Sequence, residues 1–164
     1  MRRCLLLPLV VTAILATAGF IAAQAGDPPM VGTWKVNISK SLEHPGPLPT
    51  SQTQTVEAYE GGYRITQDSV SAEGKTSHSD SIVRLDGKEY PAQTLPGTTF
   101  EYRRFDAHSY GRLTRVNGEV TETMRAVVSE DGKMRTSVSM GPNFLKVHVW
   151  EKLNRTGIVG ERIS

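Results

Sequence analysis

Cysteine is almost missing. Cys4 is the only one in 164 residues, and it precedes the apolar stretch near the start. A domain without it has no disulfide, no thiol nucleophile and no thiolate metal ligand. Its stability must come from core burial, which suffices because a chain of this size buries about two-thirds of its unfolded surface. An excess of one charge is lacking too: 19 Lys+Arg stand against 17 Asp+Glu, for a formal net charge of +2. A nucleic-acid partner, which needs a basic face, is not expected, nor is steering by a strongly charged surface. Histidines 44, 78, 108 and 148 are scattered, with no two at ligand spacing, so no zinc site is expected. No serine lies in a Gly-x-Ser-x-Gly context, and Asp80 and Glu122 are isolated carboxylates. The residues make no case for an enzyme.

What is present begins with a leader. Arg2 and Arg3 form a basic start, Leu5 to Phe20 is mostly apolar, and Ala23-Gln24-Ala25 is a small-x-small cleavage site. The apolar run is shorter than the roughly 20 residues of a membrane span and contains Pro8. Residues 1–25 read as a signal peptide cleaved after Ala25, which implies a periplasmic or secreted domain without stable membrane insertion. Loss of Arg2 and Arg3 brings Lys+Arg down to the 17 of Asp+Glu. Residues 26–154 form one domain, and residues 155–164 read as a mobile tail.

That domain is a succession of short strands and turns. Val31–Val36 is the first strand. Ser39–Ser51 holds Pro45, Pro47 and Pro49 and reads as a loop, a candidate lid or rim. Strands follow over Thr53–Tyr59, Tyr63–Gln67, Ser77–Leu85, Glu89–Pro91, Phe100–Arg104, Tyr110–Arg115, Val120–Val128, Met134–Met140 and Lys146–Lys152. Turn signals separate them, notably Gly61-Gly62, Asp86-Gly87, Asn117-Gly118 and Asp131-Gly132. No helix is expected beyond the leader. Strands joined by tight hairpins make a meander, and a long meander hides its edges best by closing. The expected fold is an all-β, antiparallel up-and-down barrel of 8–10 strands, preferred to a Greek-key sandwich.

The last strand has two unlike faces. Val147 and Val149 alternate with Lys146, His148 and Trp150. An aliphatic row opposite cation, imidazole and indole suits a barrel wall with a partly polar interior.

Two motifs resemble known barrels. Gly32-Thr33-Trp34 resembles the glycine-x-tryptophan opening of the lipocalins. Asp131-Gly132-Lys133, a strand, a turn and then His148-Val149-Trp150-Glu151-Lys152 resemble the closing hairpin of the intracellular fatty-acid-binding proteins. Those end in arginine-x-tyrosine-glutamate-lysine, whose arginine and tyrosine hold a ligand carboxylate. The whole mature chain resembles secreted bacterial lipocalin-like proteins of the calycin superfamily, with the same glycine-threonine-tryptophan-lysine opening and proline-rich loop. Here His148 replaces the arginine and Trp150 the tyrosine, and an imidazole grips a carboxylate less firmly than a guanidinium.

The resemblance implies an exported protein that binds a small hydrophobic or amphipathic, lipid-like molecule inside the barrel. The candidate contacts are His148, Trp150, Arg125, Tyr102 and Arg104, with Trp34 as a structural plug. No cofactor is required. The alternatives are a haem-binding barrel using His148, an envelope protein-interaction module with no ligand, and an isomerase or cyclase on a calycin barrel. Ligand identity, oligomeric state and the room inside the barrel are open at this point.

Overall fold

Turn chemistry cuts the chain into strands. Gly61 (φ 74°), Gly118 (φ 87°) and Gly132 (φ 68°) occupy the left-handed region in three of the hairpin connections, where a side chain would be strained. The computed structural model describes residues 28–93 and 95–154. The proposed leader and the tail lie outside these residues. Among the described residues eleven strands form: β1 (Gly32–Val36), β2 (Leu42–His44), β3 (Ser51–Tyr59), β4 (Gly62–Val70), β5 (Thr76–Val83) and β6 (Asp86–Pro91). They continue with β7 (Thr98–Arg104), β8 (Ser109–Val116), β9 (Glu119–Val128), β10 (Met134–Gly141) and β11 (Phe144–Lys152). The only helical element among the described residues is one 3₁₀ turn, Ile38–Lys40, capped by the Asn37 side chain.

The sheet is the expected all-β antiparallel meander. Its order is β5-β4-β3-β1-β11-β10-β9-β8-β7-β6, with β2 also paired to β11. First and last strands meet, Val36 opposite Trp150 and Trp34 opposite Lys152. The barrel therefore joins at β1–β11 and stays open at a seam between β5 and β6, the two ends of the ladder.

Two connections differ from expectation. Asp86-Gly87 makes no hairpin between β5 and β6. Asp86 pairs with Arg103 of β7, and the register shifts before Glu89. The Asp86 carboxylate accepts from the Lys88 amide at 3.0 Å and the Tyr90 hydroxyl at 2.7 Å. The Asp-Gly pair is thus spent on a β-bulge, with Gly87 at φ 74°. The second difference is β2. The prolines begin only at Pro45, so Leu42–His44 remain free to pair with Leu145–Val147. The proline-rich loop starts one strand later than the composition implies.

Apolar packing is gathered at one end. Directly opposed residues share a face, so Trp34, Val36, Val56, Tyr63, Val83, Tyr110, Ala126, Val128 and Trp150 all look inward. They form one buried cluster with Met30. Val56, Val83 and Val128 lie near the ends of their strands, Tyr63 and Tyr110 near the starts, and a meander brings those positions to one rim. Each large side chain buried there contributes roughly 1.5–3 kcal/mol gross. Trp34 is 0% exposed and donates its indole N–H to the Met30 carbonyl at 2.9 Å. Toward the opposite rim the inner face turns polar, with Gln52, Ser69 and Ser77 in register on one side and Ser139 opposite Lys146 on the other.

Candidate functional site

The inner row of β11 forms the first wall. Trp150 is 4% exposed and donates to the Ser137 hydroxyl at 3.1 Å. His148 meets it edge-on, ring centres 5.9 Å apart. Lys146 and Glu43 are opposed across β11 and β2, so Glu43 shares this inner face. Its carboxylate meets His148 Nε2 at 2.8 Å and lies 3.7 Å from Lys146 Nζ. The short strand β2 thus supplies the histidine's partner. Val147 and Val149 are on the outer face, opposed to Val138 and Thr136.

The second wall comes from β7, β8 and β9. Phe100 and Tyr102 meet edge-on at 6.3 Å. The Arg112 guanidinium lies 5.4 Å from the Phe100 ring centre and 5.9 Å from that of Tyr102. Arg112 Nη2 donates to Glu122 Oε1 at 2.6 Å. Burial works against the Arg112 charge. The neighbouring Tyr102 and the Glu122 carboxylate outweigh that cost and hold its pKa above the ordinary arginine value. Four buried polar atoms on the inner face lack a hydrogen-bond partner: Arg112 Nε, Thr114 Oγ1, Gln52 Oε1 and Arg135 Nε. Buried atoms of this kind are met by water or by a bound molecule.

Arg135 joins the polar walls to the apolar end. It is 2% exposed, opposite Trp150, with its guanidinium 4.5 Å from the Trp150 ring and 5.0 Å from the Trp34 ring. It donates to the Tyr110 hydroxyl at 3.3 Å. Burial lowers its pKa, and the Tyr110 contact offsets part of that. Two indole faces hold this cation in place of a carboxylate.

His148, Trp150 and Tyr102 therefore face one interior. Arg104 has the inner register but sits at the apolar end, where it donates to the Tyr63 hydroxyl across the seam with its guanidinium 5.9 Å from that ring. It does not join the other three. Beside it an open pocket of about 600 Å³, lined by Tyr59, Tyr63, Leu85, Asp86 and Arg104, lies away from His148 and Trp150. Arg125 is a correction. It is exposed on the outer face, opposite Val138, over the Phe105 ring at 4.9 Å. Its neighbours Met124 and Ala126 take the inner positions, and strand parity forbids Arg125 from sharing them.

Glu43, Arg112, Glu122 and Arg135 were not among the sequence candidates. A two-residue Asn117-Gly118 turn alone predicts Leu113 opposite Glu122, with Arg112 on the other face. A register shift between Thr114 and Arg115 puts Glu122 opposite Thr114 instead, on the face of Arg112. No local signal marks that bulge. Among the described residues, no three His, Cys, Asp or Glu side chains gather as a metal site. No described helix is long and apolar enough to cross a membrane.

No family model matches the chain, and no curated protein matches its sequence. Solved structures do match its fold. Fatty-acid-binding protein 1 of Echinococcus granulosus aligns with a TM-score of 0.58 at 14% identity, over 77% of this chain and 98% of its own. An abundant heat soluble (SAHS) protein from Ramazzottius varieornatus gives 0.58 at 11%, over 76% and 95%. A point mutant of the fluorescent protein UnaG gives 0.55 at 11%, over 77% and 98%. What the chain shares with them is the antiparallel β-barrel fold.

Proposed function

We propose that this chain is an exported binding protein that holds a small amphipathic molecule in the polar half of its barrel. One observation carries the reading. Tyr102 with Arg112–Glu122 on one wall, and His148–Trp150 on another, turn toward one interior above a floor of apolar packing. Apolar parts of the ligand lie against Phe100, Tyr102 and Met124. Its polar end meets the hydrogen-bonding side chains toward the far rim. The driving force is apolar burial, about 25 cal/mol per Å² gross, with a few polar contacts setting orientation. That a structural neighbour is a fatty-acid-binding protein supports binding over catalysis. His148 Nε2 is engaged by Glu43, which favours an organic ligand over axial haem ligation.

The test is a titration of N-phenylnaphthylamine, a neutral apolar probe, followed by displacement with long-chain amphiphiles. Saturable, displaceable binding is expected. His148→Ala weakens displacement about three- to ten-fold, the value of one hydrogen bond. Arg125→Ala, on the outer face, leaves it unchanged. Absence of saturable binding refutes the reading. Export is tested by N-terminal sequencing of protein recovered outside the cytoplasm, where a chain starting at Gly26 is expected.

A further inference from the structure

The ionised groups that line the polar half are already matched. Arg112 holds Glu122 at 2.6 Å, and Glu43 sits between His148 at 2.8 Å and Lys146 at 3.7 Å. The cations Arg112 and Lys146 thus each face a carboxylate, Glu122 and Glu43. A ligand carboxylate brought to Arg112 meets the Glu122 carboxylate as well, and like charge at that range opposes it. Arg135, which has no carboxylate partner among the described residues, is shut away: it is 2% exposed between two indoles, and a head group reaches it only by displacing one of them. Arg104 lies at the other rim, committed to the Tyr63 hydroxyl.

What the lining does leave open is neutral hydrogen-bonding capacity. Arg112 Nε is a buried N–H with no acceptor, and Thr114 Oγ1 is a buried hydroxyl with no partner. Both share the inner face of β8. Across the ladder, Thr114 is opposite Phe100 and Arg112 is opposite Tyr102. A carbonyl satisfies the first and a hydroxyl the second, while an acyl chain covers the aromatic rings.

We infer that the ligand is an uncharged amphiphile whose head offers a carbonyl and a hydroxyl, of the monoacylglycerol type, and that the Arg112–Glu122 pair disfavours free fatty acids. This rests on the binding reading above and names the ligand class for that site. Glu122 is the specificity residue, because it occupies the guanidinium that a carboxylate would need.

The experiment compares monolauroylglycerol with laurate, both below their micellar concentrations at neutral pH, by calorimetry and probe displacement. The glyceride is expected to bind about ten-fold tighter than the acid. Glu122→Gln keeps a hydrogen bond to Arg112 but removes the charge, and it tightens laurate about five-fold or more with little change for the glyceride. Thr114→Val, which keeps the side-chain shape, loosens the glyceride about three- to ten-fold and leaves laurate unchanged. Laurate binding as tightly as the glyceride in the unmodified protein overturns the inference and leaves the carrier reading standing. No saturable binding of either lipid or of the neutral probe overturns both. If Glu122→Gln does not fold, the Thr114→Val arm decides, and equal losses for both lipids there count against the assignment.

Discussion

Arg135 poses a question that magnitudes decide. Its guanidinium is buried between Trp34 and Trp150, and either its charge or its shape holds the two rings apart. Two desolvated cation–π contacts contribute about 4 kcal/mol together. The hydrogen bond to the Tyr110 hydroxyl adds about 2 kcal/mol. Against these stand a desolvation cost of several kcal/mol and an unpartnered Nε–H that costs about 1–3 kcal/mol. The terms nearly cancel, so shape should matter more than charge. Arg135→Met, unbranched and of similar length, is expected to change unfolding free energy by no more than about 1.5 kcal/mol in either direction. Arg135→Ala leaves a void between the rings and costs about 3–4 kcal/mol. Urea unfolding followed by tryptophan fluorescence measures both. For a domain of this size the alanine variant should melt roughly 10–15 °C lower, at about 3–5 °C per kcal/mol. If methionine proves as damaging as alanine, the charge itself holds the core together and the opposing terms do not cancel.

Two further outcomes follow from local geometry. A Cβ on Gly62 would run into the Val83 carbonyl of the neighbouring strand, which cannot move aside, whereas one on Gly132 meets nothing within 4 Å. Gly62→Ala should cost about 2–3 kcal/mol and Gly132→Ala only about 1 kcal/mol of backbone strain at its positive φ; equal losses in urea midpoints would contradict this. The Asn37 side-chain amide, then Lys40, hold the Glu151 carboxyl below its ordinary value of 4.5. That stability is fully present above pH 4.5 and is lost as pH falls through the lower folded-state value. The stability difference between the unmodified protein and Glu151→Gln should therefore be largest near neutrality and shrink in acid; a difference that is constant with pH would refute it.

The architecture was legible because alternation and turn chemistry are local. Asn117-Gly118 and Asp131-Gly132 mark their hairpins directly, and the row Lys146–His148–Trp150 shares an inner face because strand parity allows nothing else. Legibility stopped where a register depended on one extra residue. The bulge after Asp86 turns a hairpin signal into a free edge, and the shift near Thr114 decides that Arg112 and Glu122 meet. Arg125 shows the opposite limit: motif resemblance drew attention to it, while its parity with Val127 already placed it on the outer face. Glu43 was hidden because its strand pairs with residues about 100 positions away, and sequence distance gives no hint of that contact.

The segregation of apolar packing to one rim separates what keeps the protein folded from the polar half of the inner face. Trp34, Val56 and Val128 anchor the structure, while the short hydroxyl and amide side chains near the other rim add little to that anchorage. Exchange of Ser69, Ser77 or Ser139 for other small groups leaves the floor intact, so the polar rim of such a barrel can change in single steps without passing through an unfolded ancestor.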